Sequence, residues 1–274
     1  MERIVSPSGG NYQLGDKLGG TDVFNLYECI LSDKRVAILK IARALEHNGV
    51  LDREAYILDV LRKEAEETEK EFAAVKGDTN VKLNYQFCFP NLVESFIYKE
   101  QDNRRVNIVC MSEIANKLGE LVPLSNLMTK KSLRIDPRTS AWVLGKLLKM
   151  LDFAHNLNIS VGNLESDNIL IHPKNHYISI FDWSAAIMEN ELDVKTIHEE
   201  IRKVTLAVIE AMGGDVDTMK FPEDEQLADG KYVALLGDLI NEQFATAKEA
   251  HTKFYECIWS IWPREYYPFT TCRI

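Results

Sequence analysis

Strand-like runs crowd the first 112 residues of this chain and helical periodicity fills most of the remainder; that order constrains the fold more than any other feature. Tyr12–Leu18, Phe24–Ile30 and Arg35–Ile41 are short runs with the residue types of strands. Gly19-Gly20-Thr21-Asp22 between the first two reads as a hairpin tip, so an antiparallel meander is predicted. The polar Gly/Ser/Pro-containing residues 1–11 before it read as a loose lead-in. Near Leu51 the period becomes helical. Leu51, Ala55, Leu58, Leu61 and Ala65 share one face, Lys63–Lys70 is charge-rich and solvated, and Gly77-Asp78 marks the end. Strand-like runs return at Val81–Phe89, Leu92–Lys99 and Val106–Ser112, with a turn at Gln101–Arg105 between the last two. After Glu113 the texture is helical. Thr139–Asn156 carries Trp142, Val143, Leu147, Met150, Leu151 and Ala154 on one side. One small hairpin interrupts, Asn168–His172 and Tyr177–Phe181 around Pro173-Lys174-Asn175. From about Asp193 onward the chain reads as helices broken near Gly213-Gly214, Phe221-Pro222 and Gly230. A β-rich part followed by an α-rich part, joined near residues 112–117, predicts an α+β fold of two lobes.

Composition narrows the function classes. A chain of 274 residues, 46% hydrophobic, can bury one large domain or two lobes sharing a core. A net charge of −10 argues against nucleic acid as a partner, since such binders carry a basic surface. None of the five cysteines forms a C-x-x-C pair, which argues against a zinc knuckle or a dithiol redox site. The first twenty residues lack an apolar signal-peptide core and no stretch is long and apolar enough to span a bilayer. The expectation is a cytoplasmic protein with no membrane partner.

Two residues at the central hairpin could carry chemistry. Asn168 precedes the run Ile169-Leu170-Ile171, and Asp182 follows the run Tyr177–Phe181. A hairpin would bring an amide oxygen and a carboxylate to neighbouring strand ends, a hard-oxygen pair suited to Mg²⁺ with a nucleotide's phosphates. Taken singly, each reads as an ordinary turn residue. Glu54 has its own argument. At 100° per residue it falls inside the apolar arc of Leu51, Ala55, Leu58 and Leu61. A carboxylate facing a core needs a partner, and Lys40 on a neighbouring strand is the natural one.

Joined in order, these pieces resemble the protein-kinase family. Asn163-Leu164-Glu165-Ser166-Asp167-Asn168-Ile169-Leu170 is similar to the catalytic loop H-R-D-L-x-x-x-N, and Phe181-Asp182-Trp183-Ser184 lies where that family has D-F-G. Val36-Ala37-Ile38-Leu39-Lys40 resembles the strand that carries the ATP-binding lysine, and Arg53–Leu58 the helix that carries its glutamate. The segment Leu18–Tyr27 occupies the Gly-rich loop position, and Met111–Glu113 the start of the adenine-contacting hinge. The resemblance implies a single kinase-like domain over 1–274, an N-lobe over 12–112 and a C-lobe over 113–274. It implies ATP held by Gly19, Lys40, Glu54, Met111 and Glu113, and Mg²⁺ on Asn168 and Asp182. Asp182-Trp183-Ser184-x-Ala186, His172-Pro173, His176 and the terminal Trp259–Arg264 and Tyr267-Pro268-Phe269 resemble a group of bacterial kinase-like proteins with D-W-S in place of D-F-G.

The departures from that pattern set the functional expectation. The catalytic aspartate aligns with Asn163, whose neutral amide accepts no proton at ordinary pH. The usual His-Arg before it is Val161-Gly162. Glu165 stands where a lysine is common, and a carboxylate near a transferring phosphate repels the developing charge. Of the loop's three usual glycines only Gly19 remains, Thr21 and Phe24 replacing the others. No A-P-E follows, and a central helix starting near Glu200 leaves only 18 positions after Asp182, a shortened activation segment. The leading expectation is an ATP- and Mg²⁺-binding pseudokinase with a regulatory role toward a protein partner of unknown identity. The alternatives are an active atypical kinase, with Glu165 orienting the acceptor hydroxyl, and a nucleotide-free scaffold. His155 reads as a packing or orienting residue, and the C-terminal aromatics as core.

Overall fold

The computed structural model describes residues 3–77, 83–111, 114–115 and 117–273. The chain divides into two compact units: Met1–Leu121 with Asp182–Ala186, and Val122–Phe181 with Ile187–Ile274.

The first unit is built on one antiparallel sheet. Its strands are β1 (Arg3–Val5), β2 (Asn11–Gly20), β3 (Phe24–Ile30), β4 (Val36–Ala42), β5 (Asn91–Tyr98) and β6 (Arg104–Cys110). They lie in the order β1-β2-β3-β4-β6-β5. β4 is the near-continuous apolar run Val-Ala-Ile-Leu-Lys-Ile-Ala, and it sits between β3 and β6. Side chains alternate across a strand. Ala37, Leu39 and Ile41 therefore join Ile4, Cys29, Phe96 and Val106 in a core on one face. Ile38, Lys40 and Ala42 point to the other face, the side covered by α1 (Asn48–Lys76). That helix packs on β5 and β6 and buries Leu51, Glu54, Ala55, Ile57, Leu58, Leu61 and Ala65. Gly77 ends it in a positive-φ conformation, +61°, which glycine adopts at little cost.

Two segments of this unit differ from the sequence expectation. The lead-in is not loose: β1 pairs with β2 through Arg3↔Gln13, Ile4↔Tyr12 and Val5↔Asn11. Ile4 is buried by that pairing, worth about 1.5–3 kcal/mol for a side chain of its size, and Ser6 closes the turn by accepting the Gly10 N–H. The run expected as a strand over Val81–Phe89 contains a 3₁₀ turn at Tyr85–Phe87, with residues 81 and 82 outside the described part. Glu69 of α1 takes both the backbone N–H and the side-chain amide of Gln86, which binds this segment to the helix rather than to a sheet edge.

The second unit is mainly helical. Its elements are β7 (Val122–Pro123), α2 (Leu124–Lys131), β8 (Leu133–Ile135), α3 (Pro137–Asn156), β9 (Ile159–Ser160), β10 (Ile169–His172), β11 (Tyr177–Ile180), β12 (Ile187–Met188), α4 (Val194–Ala211), α5 (Lys231–Asn241), α6 (Ala247–Ile261) and β13 (Thr271–Arg273). α3 starts where the sequence demands it: Asp136 caps it by accepting from the Arg138 and Thr139 N–H groups, and Pro137 opens its first turn. It packs against α4 and α6. α4 begins at Val194, capped by Asp193, six residues before the expected start near Glu200. Only 12 positions then separate Asp182 from the helix, so the intervening segment is shorter still. The two- and three-residue strands escaped the sequence reading because they are too short for a period to register. β13 pairs with β8, and Thr270 donates its N–H to Thr139 Oγ1, which binds the C-terminal segment to the start of α3. No described helix is long and apolar enough to cross a membrane.

Candidate functional site

In the first unit the registers Leu26↔Lys40 and Lys40↔Asn107 place Lys40 mid-sheet, facing α1. Its ammonium is fully buried and donates to Glu54 Oε1 and, at 2.9 Å, to Asp182 Oδ1. Glu54 is wholly buried too, and its carboxylate is well supplied with donors. Oε1 accepts the Trp183 N–H at 3.2 Å, and Oε2 the Asn107 side-chain amide at 3.1 Å. Asn107 is held in turn by Leu51 O and Ser95 Oγ. Asp182 Oδ1 also accepts the Ser184 N–H at 3.1 Å, and its side chain keeps 11% exposure. Arg53 of α1 donates to Ser184 O at 2.9 Å, and Trp183 is buried edge-on against Phe89, so the segment after Asp182 is anchored on both sides.

The electrostatics follow from this arrangement. Burial alone pushes the Asp182 carboxyl up, but the Lys40 ammonium and the Ser184 donors outweigh it and hold it below the ordinary aspartate value. Burial likewise pushes the Lys40 pKa down, and the Glu54 and Asp182 carboxylates reverse the sign and raise it. Lys40 and Asp182 are therefore both charged at neutral pH. Asp182, the carboxylate with exposure, supplies hard oxygen of the kind Mg²⁺ takes.

Phe24, at the start of β3, stacks its ring over the ammonium, 4.9 Å from centroid to Nζ, and is itself 1% exposed. The preceding turn shows why glycines sit there. Gly19 and Gly20 both have φ near +152°, and a Cβ on Gly20 would lie 2.4 Å from Phe24 O. Nothing lies within 4 Å of the same position on Gly19. Met111, just after β6, is buried, and its carbonyl accepts from the Ile114 and Ala115 N–H groups; Glu113 lies outside the described residues.

In the second unit, Asn163 and Asn168 belong to one loop. Asn168 donates from its side-chain amide to Asn163 O at 2.9 Å, and its own carbonyl accepts the Phe181 N–H at 3.2 Å across the β10–β11 hairpin. Asn163 Oδ1 accepts the Glu165 N–H at 3.4 Å, and the Glu165 side chain is exposed. The loop hangs on Glu200 of α4. This buried carboxylate accepts the Gly162 N–H at 2.6 Å through Oε1 and meets His155 Nε2 at 2.8 Å through Oε2. Lys203, one turn further along α4, donates to Gly162 O at 3.3 Å. Residue by residue, the sequence reading passed over Asn107, took Glu200 only as the start of a helix and took Phe24 only as the replacement of a loop glycine. Glu200 carried the signal used for Glu54: it lies in the apolar arc of Ile197, Ile201, Val204 and Val208.

No family model and no curated protein matches this sequence. Solved structures share its fold. Vaccinia related kinase 3 matches with a TM-score of 0.64 at 12% identity, over 94% of this chain and 90% of that one. The BubR1 kinase domain matches with a TM-score of 0.59 at 9% identity, over 94% and 83% of the two chains. The chain therefore has the protein-kinase fold: a β-rich antiparallel lobe with one main helix, a mainly helical lobe, and a shortened segment between Asp182 and α4.

Proposed function

We propose that this chain is a pseudokinase, a protein that binds Mg-ATP through a kinase-like site and acts on a protein partner through its bound state rather than by transferring phosphate. The observation that carries the reading is the buried Lys40–Glu54–Asp182 cluster with an amide, Asn163, in place of the catalytic aspartate. Lys40 would contact the phosphates, Glu54 would hold Lys40 in place, and Asp182 with Asn168 would take the metal. Gly19, Met111 and Glu113 would complete the nucleotide contacts. Bound Mg²⁺ would offset the negative charge of the phosphates beside the Asp182 carboxylate, so nucleotide and metal should bind together. Loss of the base does not by itself abolish transfer, since phosphoryl transfer rests on positioning and electrostatics. Glu165 is a poor substitute base: it is exposed, with its backbone N–H tied to Asn163. The buried Trp183 and the short segment before α4 also support a place among bacterial-type kinase-like proteins with D-W-S.

The test is ATP binding with and without Mg²⁺, beside γ-phosphate transfer, in wild type, Asp182→Ala and Asn163→Asp. Asp182→Ala should weaken Mg-dependent binding more than metal-free binding. A general base contributes roughly 10²–10⁴-fold in an intact site, so Asn163→Asp should raise transfer by less than that here. Robust wild-type transfer lost in Asp182→Ala would overturn the reading in favour of an atypical kinase.

A further inference from the structure

We propose that Phe24 is an aromatic plug over Lys40, and that the site admits a phosphate only when the β2–β3 turn lifts this ring away. The inference rests on the proposed nucleotide reading and concerns how that site is regulated. An ammonium presents three protons. Glu54 and Asp182 accept from it, and the face of the Phe24 ring lies at cation–π distance, 4.9 Å from Nζ. On the face of Nζ that the ring covers, a phosphate oxygen at hydrogen-bond distance would have to take the space the ring fills. The ring is not a loose cover. It is 1% exposed and packs with Ala42 and Leu51, flanked by Val23 and Leu26.

The turn that carries it is built differently. Thr21 and Asp22 are exposed, and the turn closes on itself through the Thr21 N–H to Phe24 O at 2.9 Å and the Val23 N–H to Thr21 Oγ1 at 3.1 Å. Gly19, with φ near +152° and open space around its Cβ position, precedes it. A core-buried ring on an exposed turn behind a glycine can be withdrawn as one piece, at the cost of its apolar burial. That burial corresponds to roughly 10- to 100-fold in an equilibrium constant. The resting protein should bind nucleotide more weakly by about that factor than a variant without the ring.

The test separates access to Lys40 from nucleotide affinity. Wild type, Phe24→Ala and Phe24→Leu are acetylated briefly with a water-soluble amine-reactive ester in the absence of nucleotide. Labelling of Lys40 is read by peptide mass spectrometry against the exposed Lys17 and Lys34, and Mg-ATP affinity is titrated in parallel. Phe24→Ala should label Lys40 faster and bind Mg-ATP roughly 10- to 100-fold more tightly. Phe24→Leu keeps apolar bulk and should give a smaller rise in both. If Phe24→Ala does not fold, Phe24→Leu decides the matter by the sign of its change. Unchanged Lys40 labelling in the folded variants overturns the plug, whatever the affinity. Faster labelling with no Mg-ATP binding in any variant supports the plug and overturns the nucleotide reading instead.

Discussion

Replacing Lys40 by methionine tests the buried cluster most directly. Methionine keeps the length of lysine's apolar stem and removes the ammonium and its charge. Glu54, wholly buried, and Asp182, with an 11% exposed side chain, are then left without their cation. Removing one partner of a buried ion pair costs about 3–5 kcal/mol. The lower end applies here, because Glu54 retains the Trp183 and Asn107 donors and Asp182 retains the Ser184 N–H. About 3 kcal/mol corresponds to a fall in Tm of about 6–12 °C for a domain near this size. The pH dependence has a definite sign. In wild type the raised Lys40 pKa gives stability present below its unfolded value and lost only as pH rises through the folded one. The lowered Asp182 pKa gives stability present above its unfolded value and lost as pH falls through the folded one. Wild type should thus hold a plateau across neutral pH. In Lys40→Met, burial without the ammonium pushes the Asp182 carboxyl up, so protonation relieves the penalty and the Tm deficit should shrink between pH 7 and pH 5. Thermal unfolding followed by circular dichroism at both pH values reads this. A deficit equivalent to less than about 1 kcal/mol at pH 7, or one that does not shrink at pH 5, would refute the reasoning.

Two further substitutions probe the frame around the cluster. Glu200→Ala strips acceptors from the Gly162 N–H and from His155, and at about 1–3 kcal/mol for each unsatisfied buried group it should cost about 2–6 kcal/mol in urea denaturation; Glu200→Gln, which keeps an acceptor for Gly162, should cost less. Gly20→Ala drives a Cβ against Phe24 O in a positive-φ conformation and should lower Tm more than Gly19→Ala, which meets the same φ in open space; equal losses would show that the close approach carries no weight.

Sequence alone determined the elements whose signals are local. β3 runs over Phe24–Ile30 as its residue types require, α1 stops where Gly77 supplies a positive φ, and α3 ends at Asn156. The central hairpin pairs Ile169↔Ile180 through His172↔Tyr177 around the Pro173-Lys174-Asn175 turn. Period alone also placed Glu54 on the buried arc of α1. Tertiary structure decided the rest. β1 exists because β2 covers Ile4, and Tyr85–Phe87 leaves the sheet because Glu69 holds Gln86. Lys40 is shared between Glu54 and Asp182, the latter 142 residues away, and Glu200 reaches Gly162 across 38. No window of neighbouring residues contains those separations. Propensity and periodicity report side chains within a turn or a pleat of one another, whereas a shared ammonium or an anchored loop depends on strand register and helix docking. Those are set by burial summed over the whole unit, and so the Asp182 contact of Lys40 and the partners of Glu200 emerged only when the sheet and the helices were in place.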